Sequence, residues 1–280
     1  MLRIITDTSC DMTKEELEKL NIDYISLNVS FGNETFKEEK DISKRQFYMM
    51  MKSTDLFPLT SQPLPNELYE ILEDAKEKND EVIGIFLSSK VSGTFNTCMM
   101  LKNEFDIKEC YFVDSLTGSA GLRILINKAI NLRDEGKCAK EIFLCLEELK
   151  KKIRLFIVAD TLTYLVKGGR ISSFLGHVAT ILKFKPLLVV KEGEIVLFSK
   201  PRGTKSAISE LILNMTNDKI DSNYPIYGMY SCDDENMLKL ADKANLSSIE
   251  IAKENIFPIG AVVGTHLGPN GFGVAYVLDE

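Results

Sequence analysis

Through the first half of the chain, short apolar runs end in polar, hydroxyl-rich turns, and each turn opens a stretch with helical spacing. Residues 3–6 are the first such run and lead into Asp7-Thr8-Ser9-Cys10-Asp11; Thr13-Lys14-Glu15-Glu16 then reads as a capping box that starts a helix. Residues 23–29 alternate as a strand, Gly32-Asn33 is a turn, and residues 34–36 return as a short hairpin arm. Ser43 caps a helix through Phe47 and Met49-Met50-Met51. Residues 66–78 are an amphipathic helix, 81–87 the clearest buried strand, 95–103 a helix, 110–113 a strand and 119–133 a helix. This alternation predicts a mostly parallel sheet covered by helices on both faces.

The second half is patterned differently. After a lysine-tipped helix over 139–152, a strand is predicted at 153–159, a helix or turn at 161–167, and a helix from Ser172 through Leu182. Residues 186–190 and 194–198 flank Lys191-Glu192-Gly193 as a hairpin. A helix over 204–217, a strand at 225–230 and a helix at 233–244 follow. Strands at 249–252 and 274–278 lie on either side of a loop spanning 264–273. The fold class expected is therefore two α/β domains, 1–150 with a mostly parallel sheet and 151–280 with a mixed sheet and helices.

Composition narrows the function. The 280 residues are 45% hydrophobic and 27% charged, with a net charge of −7, which argues against an extended nucleic-acid surface. Six cysteines without a Cys-x-x-Cys pair or zinc spacing read as reduced thiols, so no metal and no cofactor is expected. No apolar run approaches the ~20 residues that span a bilayer, and the first residues enter a strand rather than a signal sequence. A cytoplasmic protein without integral membrane insertion is the expectation.

Three hydroxyl-rich segments stand out: Pro58-Leu59-Thr60-Ser61-Gln62-Pro63, Ser88 through Thr94, and Gly264-Thr265-His266-Leu267-Gly268-Pro269. Prolines at both ends of the first favour a fixed extended loop whose donors can grip an anionic head group; taken alone, it is as often a plain turn. Ser92, Gly93 and Thr94 fall at a helix N-terminus, which welcomes an anion. His266 sits where glycines and a proline fix a loop, and its imidazole can donate to an acid group; His177, in an expected helix, reads as core or surface. Gly168-Gly169-Arg170 brings a planar guanidinium to a helix start, and Arg202 lies in a second basic turn that reads equally as solvated surface. Asp7 and Asp11 read as capping groups rather than an acid–base pair, and the methionine cluster reads as core filling. Walker, dinucleotide and nucleophile-elbow motifs are missing from the sequence.

Together these segments resemble the DegV family, whose members include FakB, the fatty-acid-binding subunit of bacterial fatty acid kinase. The resemblance covers essentially the whole chain. It rests on Ile4 through Met12, Pro58 through Pro63, Ser88 through Thr94, Asp114 through Gly121, Leu165 through Ser172, and His266-Leu267-Gly268-Pro269. Two departures occur: the opening reads Thr6-Asp7-Thr8-Ser9, and Asn270 stands between Pro269 and Gly271 where the family pattern has glycine. The resemblance implies a long-chain fatty acid in an apolar tunnel between two α/β domains. Its carboxylate would be held by Thr60 or Ser61, by Ser92 with the Gly93 amide, and by His266. Arg170 and Arg202 would dock or orient a partner fatty acid kinase catalytic subunit, and the chain itself would carry no catalytic residue. Two rivals remain at this stage: a serine esterase using Ser92, His266 and Asp7 or Asp114, and a phosphosugar-binding module, which needs a polar cavity.

Overall fold

A computed structural model describes residues 1–171 and 184–279. The helix expected between Ser172 and Leu182, with His177, lies outside the described residues.

Strands β1 (Leu2–Asp7), β2 (Ile22–Ile25), β6 (Glu81–Phe86) and β7 (Cys110–Asp114) form a parallel sheet in the order β2-β1-β6-β7. Its strands read as continuous apolar runs because both faces are buried. Odd positions of β6 such as Ile83 and Ile85 pack with α5 (Ser119–Asp134) and α6 (Ala139–Lys152), through Leu125, Ile142 and Leu146. Its even positions, Val82 and Phe86, meet Leu68 and Leu72 of α3 (Pro65–Glu77) and Cys98 of α4 (Thr94–Lys102).

The second sheet is mixed. It contains β8 (Ile153–Val158), β9 (Leu187–Lys191), β10 (Glu194–Ser199), β11 (Tyr227–Tyr230), β12 (Ile256–Pro258) and β13 (Phe272–Val277), in the order β10-β9-β8-β13-β11-β12. Among the described strands of this sheet, only β11 and β12 run parallel. Phe156, Val158 and Leu187 turn outward to a core with α8 (Gly203–Asn217) and α9 (Glu235–Leu246), whereas Leu155, Ile157 and Leu188 turn inward toward α5. Lying between the two sheets, α5 is buried over most of its surface. The expected fold class, a parallel sheet and a mixed sheet each with helices, is the one observed.

Three expectations are corrected. The strand read at 23–29 divides: β2 stays in the parallel sheet while β3 (Asn28–Phe31) joins β4 (Glu34–Lys37) and β5 (Leu59–Ser61) in an antiparallel sheet ordered β4-β3-β5. The break falls at Ser26-Leu27, whose N–H groups donate to Glu67 Oε2 (2.8 Å) and Thr8 Oγ1 (3.1 Å) instead of to a strand. The strand expected at 249–252 is absent, because Ile249 and Ile251 donate back to the end of α9, to Ala244 O and Asn245 Oδ1. The strand of this region is instead β12, which starts seven residues after the expected start and ends at the edge proline Pro258.

The third correction concerns the segment opening at Gly264, which is largely helical: α10 (Ala261–Leu267) carries His266 in its last turn, after α7 (Thr163–Lys167). The Gly268 N–H closes α10 on Gly264 O at 2.8 Å. Gly268 has φ +76° and Asn270 φ +59°, so asparagine, which tolerates the left-handed region, stands in for the family's glycine. Although late in the sequence, α10 packs against β3, β5 and α2 (Lys44–Ser53), and so fastens the far end of the chain to the first half.

Candidate functional site

Thr60 lies on β5, an edge strand bracketed by Pro58 and Pro63 and tied at its end by Asn28 Nδ2 donating to Gln62 O at 2.8 Å. An edge position is where flanking prolines leave a strand intact. The Thr60 hydroxyl meets His266 Nε2 at 2.8 Å, although 206 positions separate the two residues. His266 Nδ1 is buried without a hydrogen-bond partner among the described residues, on the side packed against Gly168. A bare lone pair there costs less than an orphaned N–H. We therefore place the ring proton on Nε2, donating to Thr60, which leaves the Thr60 O–H free for a ligand. Burial, and secondarily the Arg170 charge, hold the imidazole pKa down to about 3, so the ring is neutral.

The second segment is set by two acids. Asp7 Oδ2 accepts from Leu87 N at 2.8 Å, fixing the exit from β6, and Asp114 accepts from Ser89 N and Ser89 Oγ. Both carboxylates thus hold loops. Ser92 Oγ pairs with Thr94 Oγ1 at 2.8 Å, and Gly93 is the N-cap residue of α4. A methyl group on Gly93 would collide with the Gln62 amide, which is itself held by Thr97 Oγ1 at 2.7 Å. Arg170 donates to Val91 O at 3.1 Å and to Gly168 O at 2.5 Å, and burial lowers its pKa.

These contacts close a ring. Gly168 touches His266, His266 bonds Thr60, Gln62 packs on Gly93, and Arg170 returns from Val91 to Gly168. Thr60, Ser61, Ser92, Gly93, His266 and Arg170 all line one cavity of about 320 Å³. Arg202 does not: it is exposed and stacks its guanidinium 5.3 Å from the Phe184 ring. Most of the remaining wall is aliphatic, from Leu155 and Ile157 of β8, Leu188 and Val190 of β9, Ile195 of β10, and Val262 and Val263 of α10, with the hydroxyls of Ser88, Thr117 and Ser119 among them. Met229 alone among the methionines lines it; Met49 is exposed and Met50 and Met51 pack under the three-stranded sheet.

Sequence reasoning did not single out Gln62 as a site residue, nor the hairpin turn, where Ser88 Oγ donates to Gly193 O at 2.9 Å across the cavity. Gln62 lies inside the proline-bracketed motif, which was its only signal. The esterase constellation is not assembled. His266 Nε2 is taken by Thr60, no carboxylate among the described residues reaches its Nδ1, and Asp7 and Asp114 are committed to loop N–H groups. Aliphatic walls likewise speak against a phosphosugar. Among the described residues, no cluster of three His, Cys, Asp or Glu side chains is arranged to hold a metal, and no helix is long and apolar enough to cross a membrane.

Two α/β layers around a largely aliphatic cavity edged with hydroxyl, amide, imidazole and one guanidinium donor define the class: an α/β small-molecule-binding protein. Within that class the chain belongs to the DegV family, whose model, described as an uncharacterised protein family, matches residues 1–279. A relative from Thermotoga maritima, a fatty acid-binding protein, is 31% identical over 281 residues, covering 98% of this chain and 97% of its own. The fold matches DegV, a fatty acid binding protein from Bacillus subtilis, with TM-score 0.84 and 31% identity over 99% of both chains. It also matches a fatty-acid-binding DegV family protein from Thermus thermophilus, with TM-score 0.88 and 26% identity over 99% of both chains.

Proposed function

We propose that this protein binds a long-chain fatty acid in the cavity and presents its carboxylate to a partner fatty acid kinase, serving as a cytoplasmic lipid carrier without turnover of its own. In this reading the chain divides into lobes of residues 1–150 and 151–280, and the carboxylate rests on Thr60 or Ser61, Ser92, the Gly93 N–H and His266. The observation that carries it is the pairing of largely aliphatic walls with a ring of hydroxyl, amide and imidazole donors that a single guanidinium, Arg170, closes. At about 0.8 kcal/mol per buried methylene, the tail dominates affinity and the head needs recognition rather than strong attraction. Hydroxyls, an amide and a neutral imidazole satisfy a carboxylate without burying an unpaired charge. Support also comes from the fatty-acid-binding relatives.

Native mass spectrometry of the delipidated protein should show one long-chain fatty acid added per chain; no acid-dependent mass increase sinks the proposal. Ser92→Ala should weaken binding by about tenfold, the worth of one hydrogen bond to a charged group. Arg170, at the cavity ring, and Arg202, on the outer surface, are assigned to docking the kinase subunit or orienting the transferred phosphate. Arg170→Ala should lower acyl phosphate formation by the partner far more than it lowers fatty acid affinity, and equal phosphorylation by the variant removes that role.

A further inference from the structure

Helix α10 is only seven residues long, so it moves as a single piece and whatever fixes its start also fixes His266. Its first N–H groups find no local side-chain cap. Gly260 N donates to Asp11 Oδ1 at 2.8 Å and Val262 N donates to Glu38 Oε1 at 3.1 Å. A methyl group on Gly260 would collide with both carboxyl groups, which shows how closely they straddle the helix start. Both acids are 1% exposed. They come from distant parts of the chain, Asp11 from the turn after β1 and Glu38 from the end of β4.

The origin of Glu38 matters most. Strand β4 belongs to the three-stranded sheet that also contains β5 and Thr60, and Glu38 N donates to Leu27 O at 2.9 Å, just ahead of β3. Helix α10 is thereby fastened to one sheet at both ends, by Glu38 at its start and by the His266–Thr60 bond at its finish. We infer that Glu38 and Asp11 are positioning residues for the head-group site, holding α10 so that His266 meets Thr60, and that ionisation of Glu38 loosens this hold.

The surroundings of the pair explain why. Asp11 Oδ2 accepts from Ser119 Oγ, and Lys44 Nζ donates to Asp11 O at 2.5 Å. Glu38 Oε2, by contrast, meets no partner at full hydrogen-bond geometry among the described residues, and only the Thr8 hydroxyl beside the carboxyl and the Val262 N–H on Oε1 favour its charged form along with Lys44. The charged and titratable groups facing the pair are Lys44 and Tyr48 from α2, Arg123 from α5, Cys10 and Glu39. Burial first and the Asp11 charge second push the Glu38 carboxyl up to about 8. Burial raises the Asp11 carboxyl as well, opposed by Lys44, the Ser119 hydroxyl and the Gly260 N–H, which favour its charged form. Ionising Glu38 therefore adds a charge beside Asp11 with no cation bonded to it among the described residues, and repulsion between the two acids loosens the helix start.

The inference deepens the fatty-acid reading but can be tested apart from it. The chain has two histidines, so histidine-selective ring NMR of the full protein gives two signals, assigned with His177→Gln. Because the His266 ring does not itself titrate near pH 8, a shift there reports a neighbour. The wild-type His266 signal should move with a midpoint near the Glu38 value, and Glu38→Gln should abolish the movement. Over the same range, hexadecanoic acid affinity should weaken about five-fold in wild type, the worth of one neutral hydrogen bond, and stay level in Glu38→Gln. Should Glu38→Gln not fold, Asp11→Asn should lower the wild-type midpoint by removing the like charge, and an unchanged midpoint overturns the inference. A His266 signal with the same pH dependence in wild type and Glu38→Gln also overturns it. If wild type binds no hexadecanoic acid while His266 still follows Glu38, the fatty-acid reading fails and the positioning role stands.

Discussion

Replacing Val190 with tryptophan should abolish fatty acid binding while leaving the protein folded. Val190 lies on β9 between β8 and β10, and strand alternation decides its consequence. Leu188 and Val190 face the cavity, whereas Leu187 packs on the outer core. An indole at 190 grows into space that is open rather than into a packed core, so the overpacking cost of a typical core enlargement is largely avoided. It also displaces part of the acyl chain. Losing room for about four methylenes removes roughly 3 kcal/mol, more than a hundredfold in affinity. Native mass spectrometry and far-UV circular dichroism on the same preparation check both halves of the expectation. A folded Val190→Trp variant that keeps wild-type affinity means that the acyl chain is elsewhere.

The same alternation shows where sequence reading succeeds and where it stops. The run at 81–87 was legible because β6 is apolar on both faces, and the helix at 139–152 because its apolar stripe and its lysine-tipped end are local signals. The division of β2 from β3 was not, because the groups that capture the Ser26 and Leu27 N–H atoms, Glu67 and Thr8, are remote in sequence. Helix α10 was missed for a related reason. It carries Gly264, which costs about 1 kcal/mol in a helix interior, and no Ser, Thr, Asp or Asn stands at its start. Gly264 is there because Tyr48 and Phe47 pack against its backbone, and the caps are Asp11 and Glu38.

For the site, the residues bearing donors were legible because each follows a strand or sits in a proline-fixed segment. The cavity walls were not: Leu155 and Leu188 carry the same pattern as core positions until the sheets are placed around α5. Arg170 and Arg202, paired at the outset, are separated by the fold. One closes the ring and the other stacks on Phe184 at the surface.

Glu38→Gln should reverse its effect on stability between acid and alkaline pH. In the folded chain the Glu38 carboxyl holds its proton up to about 8, against a reference value of 4.5 once unfolded. Between those values the folded state keeps a proton that the unfolded state has released. Wild-type stability therefore falls as pH rises through this window, by at most about 1.4 kcal/mol per pH unit and on the order of 5 kcal/mol in all. The contribution is fully present below the lower value and lost above the upper one. Glutamine cannot release a proton, so this slope disappears from the variant, while the slopes that come from Asp7 and Asp11 remain in both proteins. In acid the variant should be the weaker, because its amide places two N–H donors in the buried pocket where the protonated Oε2 of wild type carries one O–H, and one more unsatisfied donor costs about 1–3 kcal/mol. In alkali it should be the stronger, since wild type there must carry the buried Glu38 charge beside Asp11. Thermal unfolding followed from about pH 5 to about pH 9 should give melting curves that cross inside the window, with each kcal/mol moving Tm by roughly 2–4 °C. Parallel curves would mean that Glu38 is already ionised in the folded protein and that Lys44, not a retained proton, balances the pair.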